Sequence, residues 1–485
     1  MIGKVISSST DEVAFRVLDS VDVEDVHVGS LVVIESQLTY LARVTSLELR
    51  NLGDVDLADK VAAMNAGPDV YDDIQSVLGD QFYYVCRSRV AGVIDGRLRG
   101  AKSIPKVLSA VRLADAGDLS FLKTGDTDTI EIGRIRTLDL PIELDRRALI
   151  THHCGVFGKT GSGKSNTVKV LLSTLLDIHT PALVFDVHGE YCRYDCLGAS
   201  GDVIVMGMDG SEDMTLSLPL EEIKPRDLKL VSFLNETQSE AVEAIRARKH
   251  ADWLRYIRDT DTKEIYQEFD RQLFEPTIDA LKRKVRNLLS QKYVGGDFNA
   301  LTYIYNYLRE RRTVVIDFGD YEHNDYAIRL ITTVVSRYLL DRYKSAHKKG
   351  STLPETLIVL EEAHKLLSSD IARLTIFETI VREGRKFGLG LLVVDQMPRK
   401  IHEEVISQLN TVIIMMLTNV KDREHLVSSS ENDLTAFKDE MARLDIGETI
   451  VTGISVPLPL SGFVPAFKGI TPRPRDDFDD FTFNE

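Results

Sequence analysis

The octapeptide Gly158-Lys159-Thr160-Gly161-Ser162-Gly163-Lys164-Ser165 constrains this chain more than any other stretch. It fits the pattern G-x-x-x-x-G-K-[ST], in which glycines let backbone amides close around phosphate oxygens and a helix N-terminus adds partial positive charge. Such a loop works only between a strand and a helix. Cys154, Gly155, Val156 and Phe157 supply a short apolar run before it, and residues 166–176 carry apolar side chains at helical spacing after it. The expectation is a nucleotide site built from Gly158 to Ser165 and Asn166. In it Lys164 reaches the β- and γ-phosphates and the Ser165 hydroxyl ligates Mg²⁺.

From Leu138 onward, strand patterns alternate with helix patterns, which predicts an α/β domain with a mostly parallel sheet. In such a sheet, ligands bind at the carboxyl ends of the strands. The run Ala182-Leu183-Val184-Phe185 leads into Asp186-Val187-His188-Gly189-Glu190-Tyr191, so Asp186 and Glu190 are site candidates, with a loop-capping Asp as the alternative. Leu357-Ile358-Val359-Leu360 runs directly into Glu361-Glu362-Ala363-His364. Two carboxylates at the end of a core strand are costly unless a cation and a water use them. Glu361 is expected to orient the Mg²⁺ shell and Glu362 to polarise the water that attacks a γ-phosphate. A further strand over 389–394 ends in Asp395-Gln396, and Gln396 is placed to sense the γ-phosphate or position water. Arg382 and Arg385, just before that strand, are candidates to reach a phosphate on a neighbouring subunit, with a structural ion pair as the alternative.

Residues 1–135 read differently, as short β-rich segments separated by polar turns, with a helical excursion around 55–77. A small barrel acting as a structural collar is expected there, with 130–135 among its strands. The α/β region spans 136–470 and carries a charged, helical insertion at about 215–305. In that insertion Ile278, Leu281, Val285 and Leu288 share one face, and Trp253 is read as a packing anchor. Lys282-Arg283-Lys284 and Arg286 read as a solvated face, with DNA contact as the second reading. An acidic tail, 471–485, closes the chain.

Composition sets limits on function. The 485 residues carry a formal charge of -16, which disfavours a protein coated in nucleic acid but allows binding in a confined channel with its own potential. Cys86, Cys154, Cys192 and Cys196 are too scattered for a disulfide framework, and Cys192 and Cys196 lack a second pair at zinc spacing. No window approaches the ~18 apolar residues of a membrane span, and the N-terminus lacks a signal-like run, so a cytoplasmic protein without a membrane partner is expected.

Together these segments resemble the HerA family of hexameric DNA translocases, relatives of the FtsK motor within the RecA-like ATPases. The resemblance rests on residues 153–167, on Asp186-Val187-His188-Gly189-Glu190-Tyr191, on Glu361-Glu362-Ala363-His364, and on Arg382-Glu383-Gly384-Arg385-Lys386-Phe387-Gly388. It implies a homohexameric ring that hydrolyses ATP between subunits and threads duplex DNA through a central channel. By match, Lys164 and Ser165 carry phosphate and metal, Glu362 is the catalytic carboxylate, Arg385 is the preferred finger, and Asp186 occupies an acidic position of the nucleotide site. Two positions depart from the pattern: Glu361 stands where many relatives have Asp, and His152 where Arg is common. The resemblance also implies a partner, either a NurA-type nuclease in DNA end processing or, in the second reading, an effector such as a sirtuin-like NADase or nuclease docked on the ring in antiphage defence. A motor acting on protein or conjugative substrates is a third. Lys365, Arg399 and Lys400 are the candidates for DNA contact.

Overall fold

The computed structural model describes residues 1–51, 82–122, 128–136, 138–192, 202–208, 213–231, 234–296, 299–431 and 433–469. The expected excursion at 55–77, Cys196 and the acidic tail lie outside the described residues.

The N-terminal strands alternate apolar and polar residues over short runs, and they close on themselves. Strands β1 (Gly3–Ser8), β2 (Glu12–Val17), β3 (Leu31–Glu35), β4 (Thr39–Asn51), β5 (Phe82–Ile94), β6 (Leu98–Arg99) and β7 (Ala110–Leu113) form one antiparallel sheet in the order β2-β1-β7-β3-β4-β5-β6. A further β2–β5 pairing closes six of them into a barrel. Closure removes the sheet edges that would otherwise invite aggregation. Val5, Val13, Phe15, Val32 and Ile34 fill part of its interior.

The remaining strands build a single 12-stranded sheet ordered β13-β12-β14-β11-β15-β16-β10-β17-β18-β19-β8-β9. Here β8 is Thr129–Ile135, β9 Pro141–Asp145, β10 Cys154–Phe157, β11 Ala182–Asp186, β12 Val203–Gly207 and β13 Met214–Thr215. Strand β14 is Thr313–Asp317, β15 Thr356–Leu360, β16 Leu389–Asp395, β17 Thr411–Ile414, β18 Glu448–Gly453 and β19 Leu460–Phe463. The strands from β13 to β17 run parallel, and those from β18 to β9 are antiparallel. This corrects the placement of 130–135, which belongs to the large sheet and not to the barrel. Its alternation is the same in either setting, and only the partner strand differs.

Helices α1 (Arg146–Thr151) and α2 (Lys164–Asp177) flank β10. The inserted helices are α3 (Glu236–Lys249), α4 (Trp253–Asp259), α5 (Thr262–Glu268) and α6 (Glu275–Leu289). Trp253, Ile278, Leu281, Val285 and Leu288 are all buried, as the periodicity predicts. The basic run is partly spent on packing: Lys282 Nζ donates to the Thr260 carbonyl at 2.5 Å and Lys284 Nζ to Gln238 Oε1 at 2.8 Å.

Helices α7 (Ala300–Arg309) and α8 (Asp325–Lys348) follow. Arg337 on α8 is buried against Asp227, with guanidinium nitrogens 2.6 and 2.8 Å from the carboxylate oxygens and a third bond of 2.7 Å to the Glu222 carbonyl. Removing one partner leaves the other charge buried and unpaired. Arg337→Ala is therefore expected to cost about 3–5 kcal/mol in urea unfolding. A loss below about 1 kcal/mol would mean the pair is not a structural tie.

His153, immediately before β10, shows why buried imidazoles are pH-sensitive. Its Nδ1 accepts from the Leu391 amide at 3.1 Å and its Nε2 lies 2.9 Å from the Val381 carbonyl, so the neutral ring is fully used. Burial pushes it down to about 4, against the opposing Val381 bond. The folded state therefore binds fewer protons than the unfolded chain below pH ~6.5, and stability falls as pH drops from there toward 4. The full loss is about 3 kcal/mol, and His153→Gln is expected to flatten this part of the urea midpoint against pH. An unchanged slope would contradict it.

Candidate active site

Four parallel strands end side by side in the order β11-β15-β16-β10, and each contributes to one pocket. Register sets their ends level: Phe157 pairs with Asp395, Leu360 with Val393, and Phe185 with Leu360.

The loop after β10 turns through Gly161 at φ +77° and Gly163 at φ +107°, the residue that caps α2. A side chain on Gly158 would come within 2.6 Å of Ser162 Oγ and 2.9 Å of Met415 Cβ, so the loop closes only around glycine there. The loop residues divide into two sets. The Gly158 amide donates to the Asp395 carbonyl, the Lys159 amide to the Met416 carbonyl, and the Ser162 amide to the Lys159 carbonyl, which hold the loop's shape. Thr160, Gly161, Gly163, Lys164, Ser165 and Asn166 line a cavity of about 390 Å³ together with His188, Glu190, Glu361, Glu362 and Gln396. Lys164 Nζ rests 3.2 Å from the Lys159 carbonyl, and burial pulls its ammonium below the ordinary lysine value, opposed first by the Glu362 charge. Asn166 faces both ways. It lines the cavity, yet its amide donates to the Pro465 carbonyl at 2.9 Å and its Oδ1 accepts from the Phe467 amide at 2.7 Å.

Across the cavity, Glu361 is nearly buried and Glu362 sits at its mouth. Glu361 Oε2 accepts from the Val187 amide at 3.1 Å, and desolvation followed by the charges of Asp186 and Glu190 raises its carboxyl well above the usual range. Such a group gains most from a cation. Glu362 adopts φ +47°, a left-handed conformation that costs a non-glycine residue of order 1–3 kcal/mol and is characteristic of functional sites. Gln396 ties this carboxylate to the phosphate loop: its Nε2 donates to Glu362 at 3.4 Å, while its Oε1 accepts from the Thr160 hydroxyl.

Behind Glu362 lies a dyad that the sequence pattern did not disclose. Asp395, fully buried at the end of β16, accepts from the His364 amide at 2.6 Å and lies 2.9 Å from His364 Nδ1, which is itself 3.4 Å from Glu362. Burial works against the imidazolium, but the Asp395 hydrogen bond and charge together with Glu362 hold His364 above its ordinary value. His188 Nε2 also lies 3.8 Å from Glu362, at Oε1. The signal was present in Asp395-Gln396 and Ala363-His364, but only strand order shows that β15 and β16 are neighbours.

Other candidates fall elsewhere. Asp186 does not line the cavity; its two oxygens accept the amides of Glu190, Tyr191 and Cys192 at 2.9, 2.8 and 3.2 Å, so it caps its own loop. Burial is the main cause of its raised carboxyl, opposed by those amides. Arg385 lines a different cavity of about 550 Å³ with Arg147 and His152, at the opposite edge of the sheet. Arg382 is held by Glu378 at 2.9 Å and by Glu404. Lys365 is 3.2 Å from Asp325, and Arg399 is 3.7 Å from Asp422.

The chain is similar to known proteins along most of its length. The family description "Helicase HerA, central domain" matches residues 130–339. Over nearly the whole chain, the sequence is similar to the DNA double-strand break repair helicase HerA of Sulfurisphaera tokodaii, with 27% identity over 97% of this chain and 94% of that protein. It is similar in the same way to the HerA of Sulfolobus acidocaldarius, with 26% identity over 96% and 94%. The chain is related to the HerA helicases along nearly its whole length. It is a P-loop ATPase. Among solved structures, the bacterial conjugative coupling protein TrwB superposes with a TM-score of 0.54 at 13% identity, covering 75% of this chain and 94% of that one, which shows a shared RecA-like fold. The matched stretch, 130–339, runs from β8 into α8 and includes the phosphate loop but not β15 or β16. No helix among the described residues is long and apolar enough to cross a membrane.

Proposed function

We propose that this HerA-related chain is an ATP-driven motor that translocates or unwinds duplex DNA, in DNA repair. The observation that supports it most is the Thr160–Gln396–Glu362 chain, which links the phosphate loop to a strained carboxylate across two strand ends. That linkage suits a site in which the presence of a γ-phosphate is felt by the group that activates water. The relatives' names supply the substrate: they are repair helicases of double-strand breaks.

In this reading, loop amides and Lys164 hold the ATP phosphates. The donor set fits a hard cation, since the Ser165 hydroxyl and the desolvated Glu361 carboxylate both line the cavity. TrwB, with the shared fold, has been solved with ADP and Mg²⁺. Bound Mg²⁺ would neutralise charge developing on the phosphate oxygens. Glu362 accepts the proton of the attacking water, Gln396 orients that carboxylate, and the His364–Asp395 dyad restrains it from behind. Asp186 serves as a positioning residue through its loop. Arg385 completes the site of a neighbouring subunit in a homohexameric ring, and a nuclease of the NurA type uses the DNA that the ring delivers. A direct test is ATP-dependent displacement of a triplex-forming oligonucleotide from a duplex. Displacement by the wild type and none with Lys164→Ala is expected; intact ATP turnover without displacement would instead favour the ring as an assembly platform for a defence effector.

A further inference from the structure

The chain is acidic, with 75 Asp and Glu against 59 Lys and Arg, and many of its surface arginines are consumed by carboxylates. Arg112 is held by Glu35, Asp115 and Asp118, Arg146 by Asp128 and Glu355, and Arg382 by Glu378 and Glu404. Other exposed arginines, Arg283, Arg286, Arg373 and Arg385 among them, make no salt bridge among the described residues, but at one place four such basic residues converge. Arg309 at the end of α7, Arg311 in the following turn, Arg342 in the C-terminal part of α8 and Lys349 just past its end surround an open groove of about 680 Å³. All four are exposed, none makes a salt bridge among the described residues, and no acidic residue lines the groove. The acids next to them in sequence do not quench them: neither Asp341 nor Glu310 lines the groove, and Asp341 lies 3.5 Å from Lys224.

The guanidiniums are held by neutral groups instead. Arg342 donates to the Tyr338 hydroxyl at 2.6 Å and lies 4.8 Å from that ring's centre. Arg309 and Arg342 both approach the Tyr305 ring, at 6.0 and 5.8 Å, and Arg311 donates to the His179 carbonyl at 3.4 Å. Such supports restrict the side chains without spending their charge. Held this way, a cluster of planar forks matches a ligand with repeated phosphates.

We infer that this groove binds the phosphate backbone of a nucleic acid, at a site separate from the nucleotide pocket. It lies where β14 and β15 begin, whereas the nucleotide pocket lies where the parallel strands end, so the length of a strand, about 17 Å, divides them. A protein partner fits less well. Interfaces between proteins carry an apolar centre, and none of the large hydrophobic side chains exposed among the described residues lines the groove. The inference rests on the reading of the chain as a DNA motor. It adds a contact that positions the duplex without reading its sequence.

The test is the affinity of a fluorescein-labelled random duplex, measured by anisotropy from 50 to 300 mM KCl, for the full chain and for the Arg309→Glu/Lys349→Glu variant. Both positions are exposed, and DNA-free ATP turnover reports that the variant is folded. Loss of two phosphate contacts is expected to make log K against log salt shallower by about 2 and to weaken binding at least about tenfold near 100 mM. An Arg309→Gln/Lys349→Gln variant should fall between. Unchanged affinity and slope would overturn the inference while leaving the motor reading intact. Unchanged duplex binding with lost binding of poly-glutamate would overturn it in favour of an acidic protein partner. Absence of salt-dependent duplex binding by the wild type would overturn both this inference and the motor reading.

Discussion

Glu362→Gln is expected to lower ATP turnover by about 10²–10⁴-fold, the range set by removal of a positioned general base. The amide cannot take a proton from water, yet it fills the same space beside Gln396 and His364. Nucleotide affinity, read with a fluorescent ATP analogue, should change only a few-fold, because the phosphate loop and Lys164 are untouched. A variant that loses binding as well would place Glu362 among the groups that hold ATP. His364→Asn separates positioning from catalysis. Its loss should be smaller and confined to kcat, with KM unchanged, since His364 acts through Glu362.

Arg385→Ala is expected to cost about 10³–10⁵-fold in turnover, the contribution of an arginine finger. Arg385 and Gln396 stand at opposite ends of β16, a seven-residue strand about 23 Å long. It therefore cannot touch the phosphates bound in its own chain, and any action on ATP has to be exerted on a neighbour's. Arg385 also forms no ion pair among the described residues, unlike Arg382. Mixing subunits tests the sharing. Lys164→Ala and Arg385→Ala should each be inactive alone and partly active together, because some mixed interfaces unite an intact loop with an intact arginine. Failure of the mixture to recover would show that Arg385 acts within its own chain or only through the fold.

Much of the site was legible in the sequence because its parts sit at strand ends. An apolar run that stops abruptly at glycines or carboxylates marks the point where a buried strand reaches the ligand edge of its sheet. Thr160, Lys164, Ser165, Glu361, Glu362 and Gln396 accordingly converge on one cavity. What the sequence left open depended on strand order. Residues 130–135 look alike in a barrel or a sheet, and β8 pairs with β19, more than 300 residues away. Asp186 had two readings until its loop was seen to fold back onto its carboxylate. The His364–Asp395 contact and the unquenched arginines of α7 and α8 arise only from side chains brought together by the fold. Local pattern carries no such information.

In a DNA motor, ATP hydrolysis is coupled to duplex DNA. The most direct measurement is steady-state ATP turnover by the purified chain with and without linear duplex, alongside Glu362→Gln. The motor reading predicts severalfold stimulation by duplex in the wild type and none in the variant. Equal turnover with and without duplex, under salt conditions where the DNA is bound, would contradict it.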